Sequence, residues 1–179
     1  ERMTTADKLT ASRIFLAPVF FFVFLAHRAG YLPAVAALPV LWLLFLYMEV
    51  SDLLDGMAAR ASSTVSDFGK LFDPFADVLA RLTYFLCFAI EGIMPVWVLL
   101  LVIYREYGIS FLRMLLARRG IAMGARPGGK AKAVVYMTAG ALSLIVLTLR
   151  AWPIGPVLPA AEIATLVLYL AAATLSVVS

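Results

Sequence analysis

Acidic residues stand inside apolar sequence between positions 49 and 77. Five carboxylates lie in or beside long apolar runs: Glu49, Asp52, Asp55, Asp73 and Asp77. A carboxylate at the centre of a bilayer costs roughly 2.5–3.5 kcal/mol on insertion scales, so such residues usually face the interior of a helix bundle and serve a function. This stretch is therefore the first candidate for a functional site.

The spacing of the four aspartates suits two neighbouring helices. Asp52 and Asp55 are three residues apart, and Asp73 and Asp77 are four apart. On a helix each pair shares one face, with separations along the axis of roughly 4.5 and 6 Å. The link at residues 61–66 is short and polar, so we expect antiparallel helices that bring all four carboxylates together near one membrane surface.

Four clustered carboxylates predict a site for divalent cations. The cluster would repel itself unless cations bind between its members. Its ligands are hard oxygens with no His or Cys nearby, so Mg²⁺, Mn²⁺ or Ca²⁺ fits and Zn²⁺ does not. Four carboxylates could hold a pair of ions, which suits clamping a phosphoryl group during displacement. Gly56 and Gly69 would let a ligand approach closely, and Arg60 could bind phosphate as a bidentate donor.

The composition predicts an integral membrane protein. Apolar residues make up 64% of the 179 residues and charged residues only 15%, whereas soluble domains average roughly 45–50% apolar residues. The basic residues gather at the ends of apolar segments rather than along one polar face, so we expect no nucleic-acid partner. Cys87 stands alone in an apolar run, so we expect neither a disulfide framework nor a thiolate metal site.

Six apolar runs could each form a membrane-spanning helix, because a helix needs about 20 residues to cross the hydrocarbon core. They cover about residues 14–26, 32–55, 68–92, 94–116, 133–149 and 157–178. Backbone groups cannot stay unpaired in lipid, and the alternating pattern of a barrel is missing, so helices are favoured. The sequence therefore predicts an all-α polytopic membrane protein, with one six-helix transmembrane domain over residues 1–179 and an interfacial segment at residues 1–9.

The basic residues also predict the orientation of the chain. Those outside the spans collect on one side of the predicted helices, and only Arg28 and Arg150 fall on the other side. The positive-inside rule then puts both termini, and the second–third and fourth–fifth loops, in the cytoplasm. We therefore expect the acidic site to face the cytoplasm. Separately, we expect the membrane to be a bacterial cytoplasmic membrane.

Eight positions of the acidic stretch match a known pattern without a gap. The pattern reads Asp52-x2-Asp55-Gly56-x2-Ala59-Arg60-x8-Gly69-x3-Asp73-x3-Asp77. It resembles the complete signature of the CDP-alcohol phosphotransferase family, whose members are built on six transmembrane helices, so the resemblance covers the whole chain. It implies a CDP-linked lipid donor, two divalent cations (Mg²⁺ or Mn²⁺), displacement of CMP by an alcohol, and a homodimer.

The same resemblance implies roles for individual residues. Three aspartates would be metal ligands: Asp52, Asp55 and Asp73. Asp77 would join them as a ligand and would also act as the catalytic general base that takes the proton of the acceptor hydroxyl. The CDP pocket would be lined by Gly56, Ala59, Arg60 and Gly69.

A basic group in the second half of the chain bears on the acceptor. It consists of Arg105, Arg113, Arg118, Lys130 and Lys132. Such a group makes sense if the acceptor is anionic, such as a sugar or polyol phosphate, whereas serine or free inositol would not need it. We therefore predict that these residues bind the acceptor phosphate, although Arg118 also suits anchoring to lipid headgroups.

Two further patterns resemble the phosphatidylglycerophosphate synthase branch of the family. They are Leu9-Thr10-x2-Arg13-x4-Pro18, and Arg105-Glu106-x3-Ser110-x2-Arg113 followed by Arg119-Gly120 and Gly129-Lys130-Ala131-Lys132. Ala133 and Tyr136 stand where that branch commonly has Thr and Gln, and Asp7-Lys8 replaces a usual Asn. The resemblance implies transfer of the phosphatidyl group from CDP-diacylglycerol to sn-glycerol 3-phosphate, which gives phosphatidylglycerophosphate and CMP.

The sequence is also compatible with other functions. Within the family, the acceptor could be inositol phosphate or serine, or the donor could be a CDP-aminoalcohol. From another class, buried carboxylates could serve a transporter of ions, but an inverted repeat is not visible and Arg60 would be unexplained. Glu49 is either a partner of the site or a structural hydrogen-bonding residue. Arg81, one turn after Asp77, could pair with that carboxylate or extend to an interface.

Overall fold

Helices make up nearly all of the described structure. The computed structural model describes residues 5–61, 69–118, 127–152 and 155–178, and side chains within 8–51, 75–112, 114–116, 131–152 and 155–177. The six helices are α1 (Thr5–Arg28), α2 (Ala34–Ala61), α3 (Gly69–Ile90), α4 (Val96–Arg118), α5 (Pro127–Ala151) and α6 (Val157–Val178). These ranges contain no strand. The predicted all-α fold with six helices is confirmed.

Two helices extend beyond the apolar runs that predicted them. Helix α1 already includes residues 5–9, so this part of the predicted interfacial segment is its first turns. Helix α5 begins at Pro127, several residues before its apolar run, because proline with its fixed φ is well suited to the first helical position. Lys130 and Lys132 therefore lie on a helix rather than in a loop.

Within the part of the chain that the structure describes, four helices are long and apolar enough to cross a membrane, which makes this an integral membrane protein. Among the described residues the candidate spans are Lys8–Arg28, Ala34–Ser51, Ala131–Ala151 and Val157–Val177, each near the length needed for the hydrocarbon core. Helices α3 and α4 have 22 and 23 residues but carry charged residues within them. That these two helices also cross the membrane stays a prediction.

The first of two compact units covers residues 1–87. In this unit α1 packs along α2. Helix α3 joins them through Tyr84, whose buried ring makes edge-to-face contacts with Phe20 of α1 and Phe45 of α2 at centroid distances of 6.5 and 5.3 Å. One aromatic side chain therefore ties α3 to both neighbouring helices.

The second compact unit covers residues 88–179, and α6 packs there along both α5 and α4. Three polar pairs join α5 to α6 at intervals of seven residues: Tyr136–Ser176 at 2.5 Å, Ser143–Tyr169 at 2.7 Å and Arg150–Glu162 at 2.9 Å. A seven-residue interval keeps side chains on one seam of an antiparallel helix pair. Hydrogen bonds between helices add to packing within a membrane, so these pairs fix the register of α5 on α6. That the two units form a single domain stays a prediction.

The first helix ends at a glycine in the left-handed region. Gly30 has a φ of 80°, and its N–H donates to the carbonyl of His27 while Tyr31 donates to Ala26, at 3.0 and 2.9 Å. This is a Schellman motif, which satisfies the last carbonyls of a helix and favours glycine. The same pair of bonds surrounds Gly92, with a φ of 71°, at the end of α3.

We expect Gly30→Ala to lower the free energy of unfolding by about 1 kcal/mol, because a Cβ is strained at positive φ. Gly108→Ala, within α4, is the matched control and should stabilise by about 0.5–1 kcal/mol, since alanine is a better helix former. A Cβ at either position meets nothing within 4 Å, so packing does not contribute. Unfolding of the detergent-solubilised protein measures both changes, and a stabilising Gly30→Ala would contradict the assignment of the motif.

Candidate active site

Asp77, the predicted catalytic base, is paired with a residue of the first helix. The guanidinium of Arg13 forms an ion pair with Oδ1 of Asp77 and donates a second hydrogen bond to the Thr10 hydroxyl at 3.3 Å. The Arg13 side chain is 2% exposed and the Asp77 side chain 24% exposed. The carboxylate is therefore oriented from α1 while part of it stays accessible.

Glu49 and Arg81 belong to the same polar group. The hydroxyl of Tyr84 donates to the Glu49 carboxylate at 2.9 Å. Arg81 lies within electrostatic range of Tyr84, Glu49 and Asp77. Both residues are thus partners within the predicted site, and Arg81 interacts with charges on α2 and α3.

A small polar cavity lies at the centre of this group. We call it the Asp77 pocket; its volume of about 10 Å³ is room for about one water molecule. Its lining consists of Arg13, Met48, Glu49, Asp77, Ala80 and Arg81. Two guanidinium groups and two carboxylates balance one another there, which is how charges become tolerable in an apolar interior.

The other predicted metal ligands lie outside the described side chains. Asp52 and Asp55 are on the last turns of α2, and Asp73 is on the first turns of α3. Helix α2 buries Met48 and Ser51 just before them. Within the described residues, three His, Cys, Asp or Glu side chains do not come together in a way that could hold a metal ion. The four-carboxylate metal site stays a prediction.

The described part of the predicted metal site fits a hard divalent cation. The Asp77 carboxylate is a partly exposed oxygen donor, the kind of ligand that Mg²⁺ and Mn²⁺ prefer. A carboxylate has two oxygens and about four lone-pair sites, so contact with Arg13 at Oδ1 is compatible with a cation at the same group. The residue present therefore suits the predicted cation.

The predicted CDP pocket also lies outside the described side chains. Its residues are on the last turns of α2 or at the first residue of α3: Gly56, Ala59, Arg60 and Gly69. Residues 62–68 between the two helices are outside the described residues. The assignment of this pocket stays a prediction.

In the second unit, a buried carboxylate collects two of the predicted acceptor-binding residues. The ammonium of Lys132 on α5 forms an ion pair with Glu106 on α4, and Arg105 Nη1 donates to both Glu106 oxygens at 3.2 and 3.3 Å. The side chains of Lys132 and Glu106 are 7% and 9% exposed. The side chains of the other three predicted residues are outside the described set: Arg113, Arg118 and Lys130.

Tyr136 departs from the sequence pattern of the branch, and it has a clear place in the structure. The Lys132 ammonium lies 5.2 Å from the centre of the Tyr136 ring, and the Tyr136 hydroxyl pairs with Ser176 at 2.5 Å. A cation over an aromatic face is attracted by the ring. The aromatic residue thus supports the lysine instead of the glutamine that is usual there.

Sequence reasoning gave Glu106 and Arg13 no role of their own. Each belongs to one of the sequence patterns that resemble the branch. Each also carries a charge within or beside an apolar run, and that charge is the feature that could have identified it. Their partners on other helices, Lys132 for Glu106 and Asp77 for Arg13, are 26 and 64 residues away along the chain. Charge alone could not identify those partners.

We expect Tyr84→Phe to lower the free energy of unfolding by about 1.5–3 kcal/mol, because it removes a hydrogen bond to a charged group. Tyr47→Phe is the matched control, since its exposed hydroxyl bonds to Ser12 at 2.8 Å and its loss should cost less than about 0.5 kcal/mol. Denaturant unfolding in detergent gives both values. Equal losses would mean that the Glu49–Tyr84 bond does not stabilise the unit.

Comparison with known proteins gives matches over almost the whole chain. Residues 3–177 match the family model described as CDP-alcohol phosphatidyltransferase. A protein of Treponema pallidum (strain Nichols) named "CDP-diacylglycerol--glycerol-3-phosphate 3-phosphatidyltransferase" is 41% identical over 159 residues, which covers 86% of this chain and 74% of that protein.

Two further relatives are similar over most of their length. A Bacillus subtilis (strain 168) protein with the same printed name is 33% identical over 132 residues, which is 70% of this chain and 68% of that protein. A Mycobacterium tuberculosis (strain ATCC 25618 / H37Rv) protein named "Probable phosphatidylglycerophosphate synthase" is 33% identical over 174 residues, which is 97% of this chain and 77% of that protein. The range matched by the family model, residues 3–177, includes both polar groups described above.

Proposed function

Because the chain belongs to the CDP-alcohol phosphatidyltransferase family, as its eight-position signature predicted, we propose that it transfers a phosphatidyl group from CDP-diacylglycerol to sn-glycerol 3-phosphate. The products are phosphatidylglycerophosphate and CMP. The observation that carries this proposal is the 41% identity, over 86% of this chain, to a relative named for this reaction. The ion pair that orients Asp77 supports the chemistry.

Asp77 acts as the general base in the proposed reaction. It takes the proton of the acceptor hydroxyl, and the hydroxyl oxygen then forms a bond to the phosphorus that bears the diacylglycerol. The bond between that phosphorus and the oxygen it shares with CMP breaks, and CMP leaves with the electron pair. The partial exposure of Asp77 and its pairing with Arg13 support this role, because a base must be both accessible and correctly oriented.

The proposed cation ligands are the four aspartates of the signature: Asp52, Asp55, Asp73 and Asp77. Two divalent cations, Mg²⁺ or Mn²⁺, would supply positive charge that offsets the diphosphate and the charge developing on the leaving CMP. The Asp77 carboxylate supports this assignment by its oxygen chemistry. Four proposed CDP-contacting residues accompany them: Gly56, Ala59, Arg60 and Gly69.

The proposed contacts to the acceptor phosphate come from basic residues in the second half of the chain. They are made by Arg105, Arg113, Arg118, Lys130 and Lys132. Arg105 and Lys132 both pair with Glu106, which supports this part of the proposal. Two cations beside one carboxylate leave a net positive charge, and that charge attracts anions. A neutral alcohol would make no use of that charge.

The proposed setting is a bacterial cytoplasmic membrane with the catalytic residues facing the cytoplasm. The distribution of basic residues along the sequence supports this orientation. We also propose a homodimer, which the family resemblance implies. Membrane lipids surround the apolar spans in this arrangement.

We expect the purified protein in detergent to release CMP from CDP-diacylglycerol when Mg²⁺ or Mn²⁺ and glycerol 3-phosphate are present. Parallel reactions contain inositol 1-phosphate, inositol or serine as acceptor, and chelation of the cation should stop release. CMP release with only a different acceptor would contradict glycerol 3-phosphate as the acceptor, but it would still agree with the reaction of the family. A folded protein that releases no CMP with any acceptor, but moves ions in proteoliposomes, would overturn the proposed reaction.

We expect Asp77→Asn to lower kcat by at least about 100-fold, because general base catalysis typically contributes 10²–10⁴-fold. The amide keeps the size of the side chain, so donor binding should be largely retained in an equilibrium binding assay with CDP-diacylglycerol. Glu162→Gln, which alters the ion pair with Arg150, is the control and should keep wild-type turnover. Retained turnover in Asp77→Asn would remove Asp77 as the base.

A further inference from the structure

Glu106 forms ion pairs with basic side chains of two helices in the second unit. Its carboxylate receives Lys132 from α5 and both contacts from Arg105, its neighbour on α4. All three side chains are largely withdrawn from solvent, with Arg105 the most exposed at 15%. A buried carboxylate in this position holds two flexible cationic side chains in one arrangement.

Lys132 is also held from its other side. Its ammonium lies over the Tyr136 ring, and the Tyr136 hydroxyl pairs with Ser176 of α6. The same two helices are joined by Ser143 and Tyr169 two turns further along. The register of α5 on α6 therefore sets where the lysine head can lie, and Glu106 supplies its contact with α4.

The sequence gives this basic region a single acidic residue. Residues 105–132 contain seven Lys and Arg residues, and Glu106 is their one Asp or Glu. The other acidic residues from position 88 onward are Glu91 and Glu162. Both are associated with Arg150 at the opposite end of α5, the first through its backbone carbonyl and the second through an ion pair.

We infer that Glu106 is a positioning residue that holds Arg105 and Lys132 in place for the phosphate group of the acceptor. The inference rests on the proposed function for the identity of that acceptor. Binding a phosphate costs less when the side chains that contact it are already ordered. Arginine and lysine lose much rotamer freedom on ordering, and Glu106 orders both before the ligand arrives.

The charge of Glu106 gives the inference a definite sign. If the carboxylate only neutralised two buried cations, its removal would raise the affinity for an anionic acceptor, because net positive charge would increase. If it positions them, its removal lowers the affinity although the net charge favours binding. The two roles therefore predict opposite changes in KM for glycerol 3-phosphate.

The test is Glu106→Gln in the full-length protein purified in detergent. We expect KM for glycerol 3-phosphate to rise about tenfold or more, since hydrogen bonds to charged groups are at stake. The kcat and the KM for CDP-diacylglycerol should change by less than about threefold, because the base and the donor contacts lie elsewhere in the sequence. Glu162→Gln is the matched control and should leave all three parameters unchanged. An unchanged or lower KM for glycerol 3-phosphate in Glu106→Gln overturns the inference.

A double-mutant cycle separates positioning from a general structural effect. If Glu106 acts through Lys132, Glu106→Gln adds little to the KM increase of Lys132→Met, because coupled residues are not additive. Full additivity in the cycle would overturn the inference. If Glu106→Gln does not fold, Tyr136→Leu removes the aromatic ring that also holds the Lys132 ammonium. An unchanged KM for glycerol 3-phosphate in that variant would likewise overturn the inference.

A binding measurement keeps this inference separate from the proposed reaction. Inorganic phosphate and glycerol 3-phosphate should raise the melting temperature of the wild type and raise it less in Glu106→Gln, whether or not CMP is released. If no CMP is released but the two proteins differ in this way in melting temperature, the result contradicts the proposed function and supports the positioning role of Glu106. An equal response of both proteins to phosphate would overturn the role of Glu106.

Discussion

Charges inside an apolar interior must be paired, and the first unit is arranged around one such pair. An uncompensated buried charge costs several kcal/mol, so the nearly inaccessible guanidinium of Arg13 and the carboxylate of Asp77 constrain α1 and α3 to the register in which they meet. Glu49, Arg81 and Tyr84 extend the same balance to α2. The position of the candidate base therefore depends on the first helix as much as on its own.

In the second unit polar side chains are also paired, in this case along the contact between α5 and α6. Tyr136, Ser143 and Arg150 repeat every seven residues on α5, and each meets a polar side chain of α6. Apolar contacts give little preference for one register in lipid, since the surrounding tails are equally apolar. A displaced register would leave all three pairs unmade. The position of Lys132, one turn before Tyr136, follows from that register.

The sequence by itself determined the class of the fold, the number of helices and the positions that could do chemistry. Apolar content and run length predicted six helices, because lipid demands such segments. The acidic signature predicted the family, which the comparison confirmed. Helix ends were less predictable: α5 begins at Pro127 and α1 at Thr5, since a helix continues through polar residues once it leaves the apolar layer.

Only the tertiary structure decided which charges meet. Helices that are apolar on most sides carry little information about which face turns inward, so their rotation and register could not be derived from apolar periodicity. Asp77 of α3 pairs with Arg13 of α1, and Glu106 of α4 pairs with Lys132 of α5 as well as with its neighbour Arg105; a pattern local to one helix does not name the partners on other helices. The residues that bear charge were thus fixed by the chain itself, whereas their pairing was fixed by how the helices pack, because burying a charge is tolerable in few arrangements.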